Sequence, residues 1–351
     1  MVGIALLTLV PGELGGSESS TRELLRALSH SRTLDYRVYL PPVAPDGAEG
    51  LPAEVVPEYR HAHTLPERLL AMTAAAARPA PLRAHLEGAA AVHYPLTIRL
   101  PAVAAPTAIT LHDVQHLDLP QLFSWSERAF RAVAYHRSAR TARIVIVPSA
   151  FVRERAVARL GLDPGKLRVI HHGIDHDRFT PAPLDRQPFV LYPARPWPHK
   201  NHARLFDAFA RLRGGRPELR LVLTGGGDFG AVPDGVEVRG AVPGDELVRL
   251  YRTAAALVFP SLYEGFGQPP LEAMACGCPV ACSRAASLPE VCGEAARLFD
   301  PEDPADIAAA VTAVLDDPEP LVEAGLARAA SFTWERAVGR YEDVYRELLA
   351  G

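Results

Sequence analysis

The sequence predicts an α/β protein made of two domains, each built on a parallel β-sheet. The chain of 351 residues is too long for one typical domain and about right for two. Apolar residues make up 48% of it, enough to fill two cores. In both halves an apolar run is followed by a glycine-containing loop and then by a helical pattern, an order that is typical of parallel sheets.

The first such unit opens the chain. Residues 2–10 are expected to form a buried strand, and residues 18–28 an amphipathic helix. The loop between them contains Gly15 and Gly16. A strand, a glycine loop and a helix in this order begin a Rossmann-like domain, although the spacing does not match G-x-G-x-x-G. A plain turn is the alternative interpretation of the two glycines.

The rest of the first half alternates short apolar runs with helical patterns. His112 and Asp113 directly follow one of the predicted strands. Open parallel sheets bind ligands at the carboxyl ends of their strands, so His112 is a candidate site residue. Ser149 is expected to cap a helix. The predicted strands are 89–94, 107–111, 144–147 and 167–170, and the predicted helices are 124–143 and 150–160.

The predicted helix 124–143 mixes aromatic and arginine side chains, which allows two interpretations. It can lie on an anionic membrane surface. It can equally be a core helix with a solvated basic face, and we favour that interpretation.

The second half shows a similar alternation after a proline-rich segment, 181–188, which we interpret as the interdomain linker. The first domain is therefore expected at 1–180 and the second at 181–334, with a last helix, about 335–351, packing back on the first domain. The predicted strands are 189–193, 219–223, 236–239 and 254–259; the predicted helices run to about 212 and over 245–253, 304–315, 320–330 and 337–349.

The stretch 263–280 contains two glutamates, Glu264 and Glu272, separated by seven residues. It follows an apolar run that predicts a buried strand. Prolines 269 and 270 are tolerated where a helix begins, so we place Glu264 on a strand-to-helix loop and Glu272 in the first helical turn. Gly265 and Gly267 permit a close approach of the backbone to a ligand.

Two cations, Arg195 and Lys200, flank a loop between a predicted strand and a helix. Two positive charges beside a helix N-terminus make a natural diphosphate site. Only two lysines occur in the chain, Lys166 and Lys200, so arginine is its usual cation. A compact ammonium group at Lys200 is therefore interpreted as a chemical requirement.

These motifs resemble those of the family 4 retaining glycosyltransferases of the GT-B fold, and the resemblance covers nearly the whole chain. It implies two Rossmann-like domains with parallel sheets that face a cleft. It places Arg195 and Lys200 on the donor diphosphate, Gly15 and Gly16 near the phosphates, and His112 in the site. The Glu-x7-Glu motif then faces the donor sugar and the ribose through Glu264, Phe266, Gly267 and Glu272, and the loops with Gly225 and Val242 hold the base and ribose. The family's Asn before the linker is replaced by His172, so its side-chain amide has no counterpart here.

The resemblance implies a retaining hexosyltransferase of the kind used in bacterial polysaccharide biosynthesis. It would use a GDP- or UDP-linked sugar and a glycan, lipid-linked or small-molecule acceptor. The string 197–202 looks most like mannosyl- and rhamnosyl-transfer members, so a mannose-type sugar is expected. A nucleotide-sugar epimerase or hydrolase on the same fold, and a non-catalytic nucleotide-sugar-binding subunit, are the alternatives.

Composition and charge limit the classes of partner and the location that we expect for this protein. A net charge of −4 argues against a dedicated nucleic-acid binder. We expect no cofactor and no metal, because Arg195 and Lys200 would neutralise the diphosphate. The four cysteines, all within 276–292, are expected to be buried free thiols. No apolar run is long enough to span a membrane and no signal peptide is evident. A cytoplasmic protein is therefore expected, with peripheral contact at the inner membrane face through 124–143 as an option.

Overall fold

The computed structural model describes residues 1–31 and 33–351, with the backbone only at position 65. It divides into two compact units, which we call unit 1 (1–173 and 334–351) and unit 2 (174–333). The sequence had placed the first boundary at 180/181. Residues 174–180 instead belong to unit 2, since the Ile174 N–H donates to the Phe332 carbonyl at 3.0 Å and Phe179 is buried in the unit 2 core.

Over its described residues, unit 1 is built on a parallel sheet of seven strands in the order β3-β2-β1-β4-β5-β6-β7. All seven strands are short, and the four that comprise residues 2–5, 91–94, 107–110 and 144–147 are buried at every residue, as in sheets that are covered on both faces. Its strands are β1 Val2–Ala5, β2 Tyr36–Leu40, β3 Ala53–Val55, β4 Ala91–Tyr94, β5 Thr107–Thr110, β6 Ile144–Val147 and β7 Leu167–Val169, and its first helices are α1 Gly16–His30, α2 Leu65–Ala77, α3 Pro79–Leu86, α4 Gln115–Asp118, α5 Trp125–Thr141 and α6 Ala150–Leu160.

Side-chain hydrogen bonds at the N-caps explain where two helices of unit 1 begin. Ser149 Oγ accepts a hydrogen bond from the Val152 N–H at 3.2 Å, which confirms the predicted cap of α6. A capping box begins α5, in which Ser124 and Glu127 each bond to the other's backbone N–H.

The first strand is shorter than predicted, because it ends at Ala5 rather than Val10. Residues 6–10 are buried all the same and continue as a loop. A run of apolar residues indicates that a segment is buried, but it does not by itself show that the segment pairs with another strand.

Unit 2 is built on a parallel sheet whose described strands run in the order β10-β9-β8-β11-β12-β13. Its strands are β8 Gln187–Pro193, β9 Arg220–Thr224, β10 Val236–Val238, β11 Ala254–Phe259, β12 Val280–Ser283 and β13 Arg297–Phe299, and its helices are α7 His202–Gly215, α8 Gly244–Thr253, α9 Gln268–Ala275, α10 Leu288–Cys292, α11 Pro304–Asp316 and α12 Glu319–Ala329.

The proline-rich segment 181–188 is not the connection between the units. It belongs to unit 2, and its last two residues begin β8. Arg186 anchors it there by donating to the carbonyls of Ala254 and Gly277. The chain passes between the units at 173/174 and again at 333/334.

The last helix, α13 (Trp334–Leu349), belongs to unit 1. Its buried face, which includes Trp334, Tyr341, Tyr345 and Leu348, joins the core that β1, β2 and α1 line. Tyr345 Oη bonds to His93 Nδ1 at 2.9 Å, so the helix is tied to β4 by a polar contact as well.

The four cysteines lie in the core of unit 2 as free thiols, which confirms the prediction. The sulfurs of Cys282 and Cys292 lie 3.6 Å apart.

Candidate active site

The sheet of unit 2 reverses its direction of growth between β8 and β11. Beyond β8 lie β9 and β10, and beyond β11, on the other side, lie β12 and β13. Open α/β sheets bind ligands past the carboxyl ends of the strands at such a switch point. Lys200 follows β8 and Glu264 follows β11, so both candidates lie at this place.

Lys200 and Glu264 form an ion pair. Lys200 Nζ lies 2.6 Å from Glu264 Oε1, and the two side chains are 13% and 14% exposed. Lys200 Nζ also lies 5.3 Å from the ring centroid of Phe259, the last residue of β11. The sequence assigned the lysine to the diphosphate and the glutamate to the sugar, and the structure joins them directly.

The backbone around Lys200 is held by two neighbours. The buried Tyr192 donates its hydroxyl to the Lys200 carbonyl at 2.7 Å, and burial raises the pKa of Tyr192, which keeps it a donor. Asn201 adopts a left-handed conformation with φ of 63° at the start of α7. Its amide donates to the carbonyls of Pro260 and Pro301, so the loop after β8 is fastened to the loops after β11 and β13.

Arg195 lies on the same loop, where a glycine permits a close backbone approach. A Cβ on Gly225 would lie 2.9 Å from the Ala194 carbonyl carbon and from the Arg195 nitrogen, and its φ of +118° disfavours any side chain. The Arg195 guanidinium carbon lies 5.6 Å from the Trp197 ring centroid. Gly225 therefore lies against the Arg195 backbone, which brings two of the predicted site residues together.

Glu264, Phe266 and Gly267 share the loop between β11 and α9. Ser287 Oγ is placed to donate to the carbonyls of Glu264 (3.0 Å) and Phe266 (2.8 Å). Gly267 has a φ of +101°, and a Cβ there would lie 2.5 Å from Leu288 Cδ2. The loop is therefore fixed by the segment that begins α10.

Glu272 lies on the second turn of α9 rather than the first, because the helix already begins at Gln268. Tyr251, in α8, donates its hydroxyl to Glu272 Oε2 at 2.9 Å. Burial, followed by the Glu272 charge, raises the pKa of Tyr251, so the phenol stays protonated. Val242, on the loop before α8, packs partly buried against the unit 2 core.

In unit 1, His112 follows β5 as predicted from the strand pattern. Its Nε2 lies 2.8 Å from the Pro95 carbonyl, and a carbonyl only accepts, so this nitrogen carries the proton. Burial lowers the pKa of His112, against the opposing effects of Pro95 and Asp113. The His172 ring meets that of His112 edge-on at 6.3 Å and stacks on Trp334, so this histidine lies in an aromatic environment.

Gly15 and Gly16 lie at the start of α1, beyond the carboxyl end of β1. Gly15 has a φ of 56° and precedes the helix, and the space around a Cβ at Gly16 is open for 4 Å. In the sheet, β4 lies between β1, which precedes these glycines, and β5, which precedes His112.

The chain contains an Asp-x-Asp triplet, Asp175-His176-Asp177. Asp175 Oδ1 accepts the backbone N–H groups of Asp177 and Arg178, both at 3.1 Å, and so closes a turn. Over residues 1–31 and 33–351, no three His, Cys, Asp or Glu side chains are grouped so as to hold a metal ion.

The side chains that orient the site were missed in the sequence. Tyr192, Tyr251 and Ser287 come from elements distant in the chain, so no local pattern reveals their contacts. Asn201 did carry a signal, because asparagine is enriched at left-handed positions and it directly follows Lys200.

Two family models match adjoining parts of the chain: "Glycosyltransferase Family 4" over residues 14–178 and "Glycosyl transferases group 1" over residues 174–327. The O-antigen chain mannosyltransferase B of Escherichia coli is 29% identical over 265 residues, which span 68% of this chain and 70% of the relative. The MMP alpha-(1->4)-mannosyltransferase of Mycolicibacterium hassiacum is 34% identical over 207 residues, which span 54% of this chain and 50% of the relative.

Solved structures show the same architecture over nearly the whole chain. Sucrose-phosphate synthase from Thermosynechococcus elongatus superposes with a TM-score of 0.79 at 23% identity, covering 99% of both chains. Anabaena HepE in complex with UDP-glucose superposes with a TM-score of 0.75 at 18% identity, again covering 99% of both. With both family models matched and two parallel sheets of this topology, the chain belongs to the family 4 glycosyltransferases and has the GT-B fold.

Proposed function

We propose that this glycosyltransferase moves a mannose-type hexose from a nucleotide diphosphate sugar to a glycan, lipid-linked or small-molecule acceptor, with retention of anomeric configuration. The observation that carries the proposal is the Lys200–Glu264 pair at the switch point of unit 2. Two relatives named as mannosyltransferases favour mannose. The UDP-glucose complex of HepE supports a nucleotide sugar as the donor class, GDP- or UDP-linked.

In this proposal Arg195 and Lys200 bind the donor diphosphate. The leaving group gains negative charge as the glycosidic bond breaks, and fixed cations stabilise that charge. An ammonium group has three donors, so Lys200 can keep its bond to Glu264 and still donate to a phosphate oxygen. The two cations supply the charge that a metal would otherwise supply, so we propose a reaction without metal or resident cofactor.

The remaining residues position the donor and acceptor. Glu264 contacts the transferred sugar together with the loop at Phe266 and Gly267, and Glu272 accepts hydrogen bonds from the ribose. The loops of Gly225 and Val242 hold the base and ribose, and Gly15 and Gly16 lie near the phosphates. His112 bonds to the sugar or acts as a base. Both front-face attack and a short-lived covalent intermediate are compatible with these roles.

Incubation with GDP-mannose and UDP-glucose, with and without a panel of acceptors, tests the proposal. Nucleotide release that depends on acceptor, in excess chelator, is the expected result, with the product's anomeric configuration read by NMR. Release of free sugar without acceptor would instead favour a hydrolase, and an altered sugar an epimerase. Binding of the nucleotide sugar without turnover would favour a non-catalytic subunit.

Peripheral membrane contact through 124–143 is the alternative to a core helix with a solvated basic face, and the exposed side chains of α5 favour testing it. Helix α5 exposes Trp125 (81%) and Val133 (68%) beside the exposed Arg128 and Arg137, which suits an anionic interface. Within the described residues, no helix is both long and apolar enough to cross a bilayer. Co-sedimentation with anionic but not neutral vesicles, lost in Trp125→Ser, is the expected result. Equal sedimentation of the variant would leave α5 a solvated helix.

A further inference from the structure

Unit 1 contains a buried arginine that no described carboxylate neutralises. Arg68, in α2, is 7% exposed. Its Nε donates to the backbone carbonyl of Thr8 at 2.8 Å. No Asp or Glu of the described chain lies within ion-pair distance of it, and none is among the charges that act on it. A buried charge without a counter-charge is costly, so Arg68 calls for an anionic partner.

The charge of a second arginine, Arg131, acts on Arg68. The Arg131 guanidinium carbon is 4.7 Å from the Phe123 ring centroid and 5.4 Å from that of Tyr135. Burial lowers the pKa of Arg68, the Arg131 charge lowers it further, and Tyr135 and Tyr59 oppose this, so these groups are electrostatic neighbours.

The acidic groups nearby are engaged with other partners. Arg131 Nη1 lies 3.7 Å from Asp113 Oδ1, a loose pair. The Arg131 charge also acts on Glu127, but that carboxylate is exposed and accepts from Ser124 at the start of α5. Asp118 is bound by Arg155 and Arg159. Arg68 itself is therefore left without a carboxylate among the described residues.

The same region holds three buried polar atoms that have no hydrogen-bond partner in the described protein: Tyr59 Oη, Gln115 Nε2 and His116 Nδ1. Each residue is more than nine-tenths buried. Tyr59 neighbours Arg68, and the Arg131 charge acts on His116, whose Nε2 lies 3.3 Å from His136 Nε2. Tyr59 Oη and Gln115 Nε2 can donate, and His116 Nδ1 donates in the tautomer in which Nε2 accepts from His136. Buried donors are normally satisfied, so three in one region call for a bound acceptor of hydrogen bonds.

The cluster lies at the ligand-binding edge of the first sheet. Thr8 follows β1, and Asp113, Gln115 and His116 follow β5. The sheet changes direction between β1 and β4, so its switch point is at the same carboxyl edge.

We propose that Arg68 and Arg131, with Tyr59, Gln115 and His116, bind a phosphate group on the acceptor, so that the enzyme prefers phosphorylated acceptors. This inference rests on the transferase function proposed above. A guanidinium group presents a planar fork that matches phosphate, and the neutral donors complete its shell. The phosphate can be an ester on a soluble sugar or the diphosphate of a lipid-linked one, which share this chemistry.

Calorimetric titration with inorganic phosphate tests the site without catalysis. Excess GDP and UDP are present so that phosphate does not report on the donor site. We expect Arg68→Gln and Arg131→Gln to weaken phosphate binding at least tenfold. The matched control is Arg83→Gln, because the exposed Arg83 also donates Nε to a distant backbone carbonyl, that of Ala102 at 2.7 Å. Isotherms of Arg68→Gln and Arg83→Gln that superpose would overturn the proposal. Should Arg68→Gln fail to fold, Arg131→Gln and Arg68→Lys carry the same test.

Kinetics then identify the acceptor class. Mannose is compared with mannose 1-phosphate, and a free hexosamine with its polyprenyl diphosphate-linked form. Arg68→Gln should lower kcat/KM for the phosphorylated member of the preferred pair by about 10–100-fold and leave the donor KM unchanged. Equal losses on both members, or a raised donor KM instead, would refute the acceptor site. Arginine-dependent phosphate binding without any sugar transfer would refute the proposed function and leave the anion site standing.

Discussion

Lys200 and Glu264 come from loops after neighbouring strands, and a 2.6 Å contact joins their charged ends. Neither side chain is therefore independent of the other. A substitution at one releases its partner, so single variants report on the pair and a double variant is needed to separate the two residues.

We expect Lys200→Ala and Arg195→Ala each to lower kcat by about 10²–10³-fold, because fixed charges at the leaving group act mainly in the transition state. Lys200→Arg should recover little activity, since a planar head cannot replace a compact ammonium between Glu264 and a phosphate. Steady-state measurement of kcat for each variant tests these expectations. Lys166→Arg is the control, because Lys166 donates to the Arg140 and Ala142 carbonyls in unit 1. Full activity of Lys200→Arg would contradict the point-charge argument.

Substitutions of Glu264 and Glu272 should differ in their effect on the Kd of the bare nucleotide. Glu272→Gln is expected to raise the Kd of the bare nucleoside diphosphate about tenfold, because a ribose bond to a charged acceptor is lost. Glu264→Gln keeps an amide oxygen that can accept from Lys200, so it should change that Kd much less than Glu272→Gln does and mainly lower turnover. Titration of the nucleotide measures both. Equal effects of the two changes on nucleotide affinity would undo the assignment of ribose to one and sugar to the other.

Gly225→Ala should disrupt the loop that carries Arg195. A methyl group would meet the backbone of Ala194 and Arg195 at 2.9 Å, and the φ of +118° adds strain. We expect weaker donor binding and a lower melting temperature. Gly226→Ala is the matched control, since nothing lies within 4 Å of a Cβ there. The idea fails if the two variants melt and bind alike.

His112→Ala should reduce turnover by about 10²–10⁴-fold, the range for a general base, and leave nucleotide affinity unchanged. Because burial lowers the pKa of His112, the ring is neutral at pH 7, and any protonation that stops the reaction belongs below pH 6.5. Comparison of kcat over pH 5–8 in the parent and the variant measures this. An unaltered turnover number would remove His112 from the site.

His93 should make unit 1 sensitive to acid. Burial, with a smaller effect of the His112 charge, lowers the pKa of His93 from 6.5 to about 3. Between those values the unfolded chain binds a proton that the folded chain does not, so stability falls as the pH drops below 6.5. At pH 5.5 the loss from this group is on the order of 1 kcal/mol. Urea unfolding of His93→Gln at pH 7.5 and 5.5 should show a smaller difference than the parent; an identical difference would contradict the assignment.

Much of the fold could be predicted, because parallel strands in both units are continuous apolar runs of fixed order. β11 lies at the predicted residues, 254–259, and the α6 cap is the predicted Ser149. The predictions were wrong where a segment is buried against its domain without forming the secondary structure that its sequence pattern suggests. Residues 6–10 are buried without pairing, and the proline-rich 181–186 is held against unit 2 by Arg186 rather than left as a linker.

The candidate site was predicted as separate motifs, and its internal contacts were not. No local pattern shows that Lys200 bonds to Glu264 or that Tyr251 bonds to Glu272, since these pairs are 64 and 21 residues apart. No sequence pattern identified Arg68 as a candidate site residue. It stands out only because no described carboxylate lies beside it, and that depends on tertiary packing.

The return of α13 to unit 1 has a consequence for biosynthesis. Unit 2 is one continuous stretch, whereas unit 1 takes residues from both sides of it. Trp334, Tyr341 and Tyr345 belong to the core of unit 1, yet the ribosome makes them after the whole of unit 2. While unit 2 emerges and folds, the face of β1, β2 and α1 that α13 will cover stays exposed. The nascent first unit is therefore an open sheet surface until its final helix arrives, and this is the interval in which it is most vulnerable to aggregation.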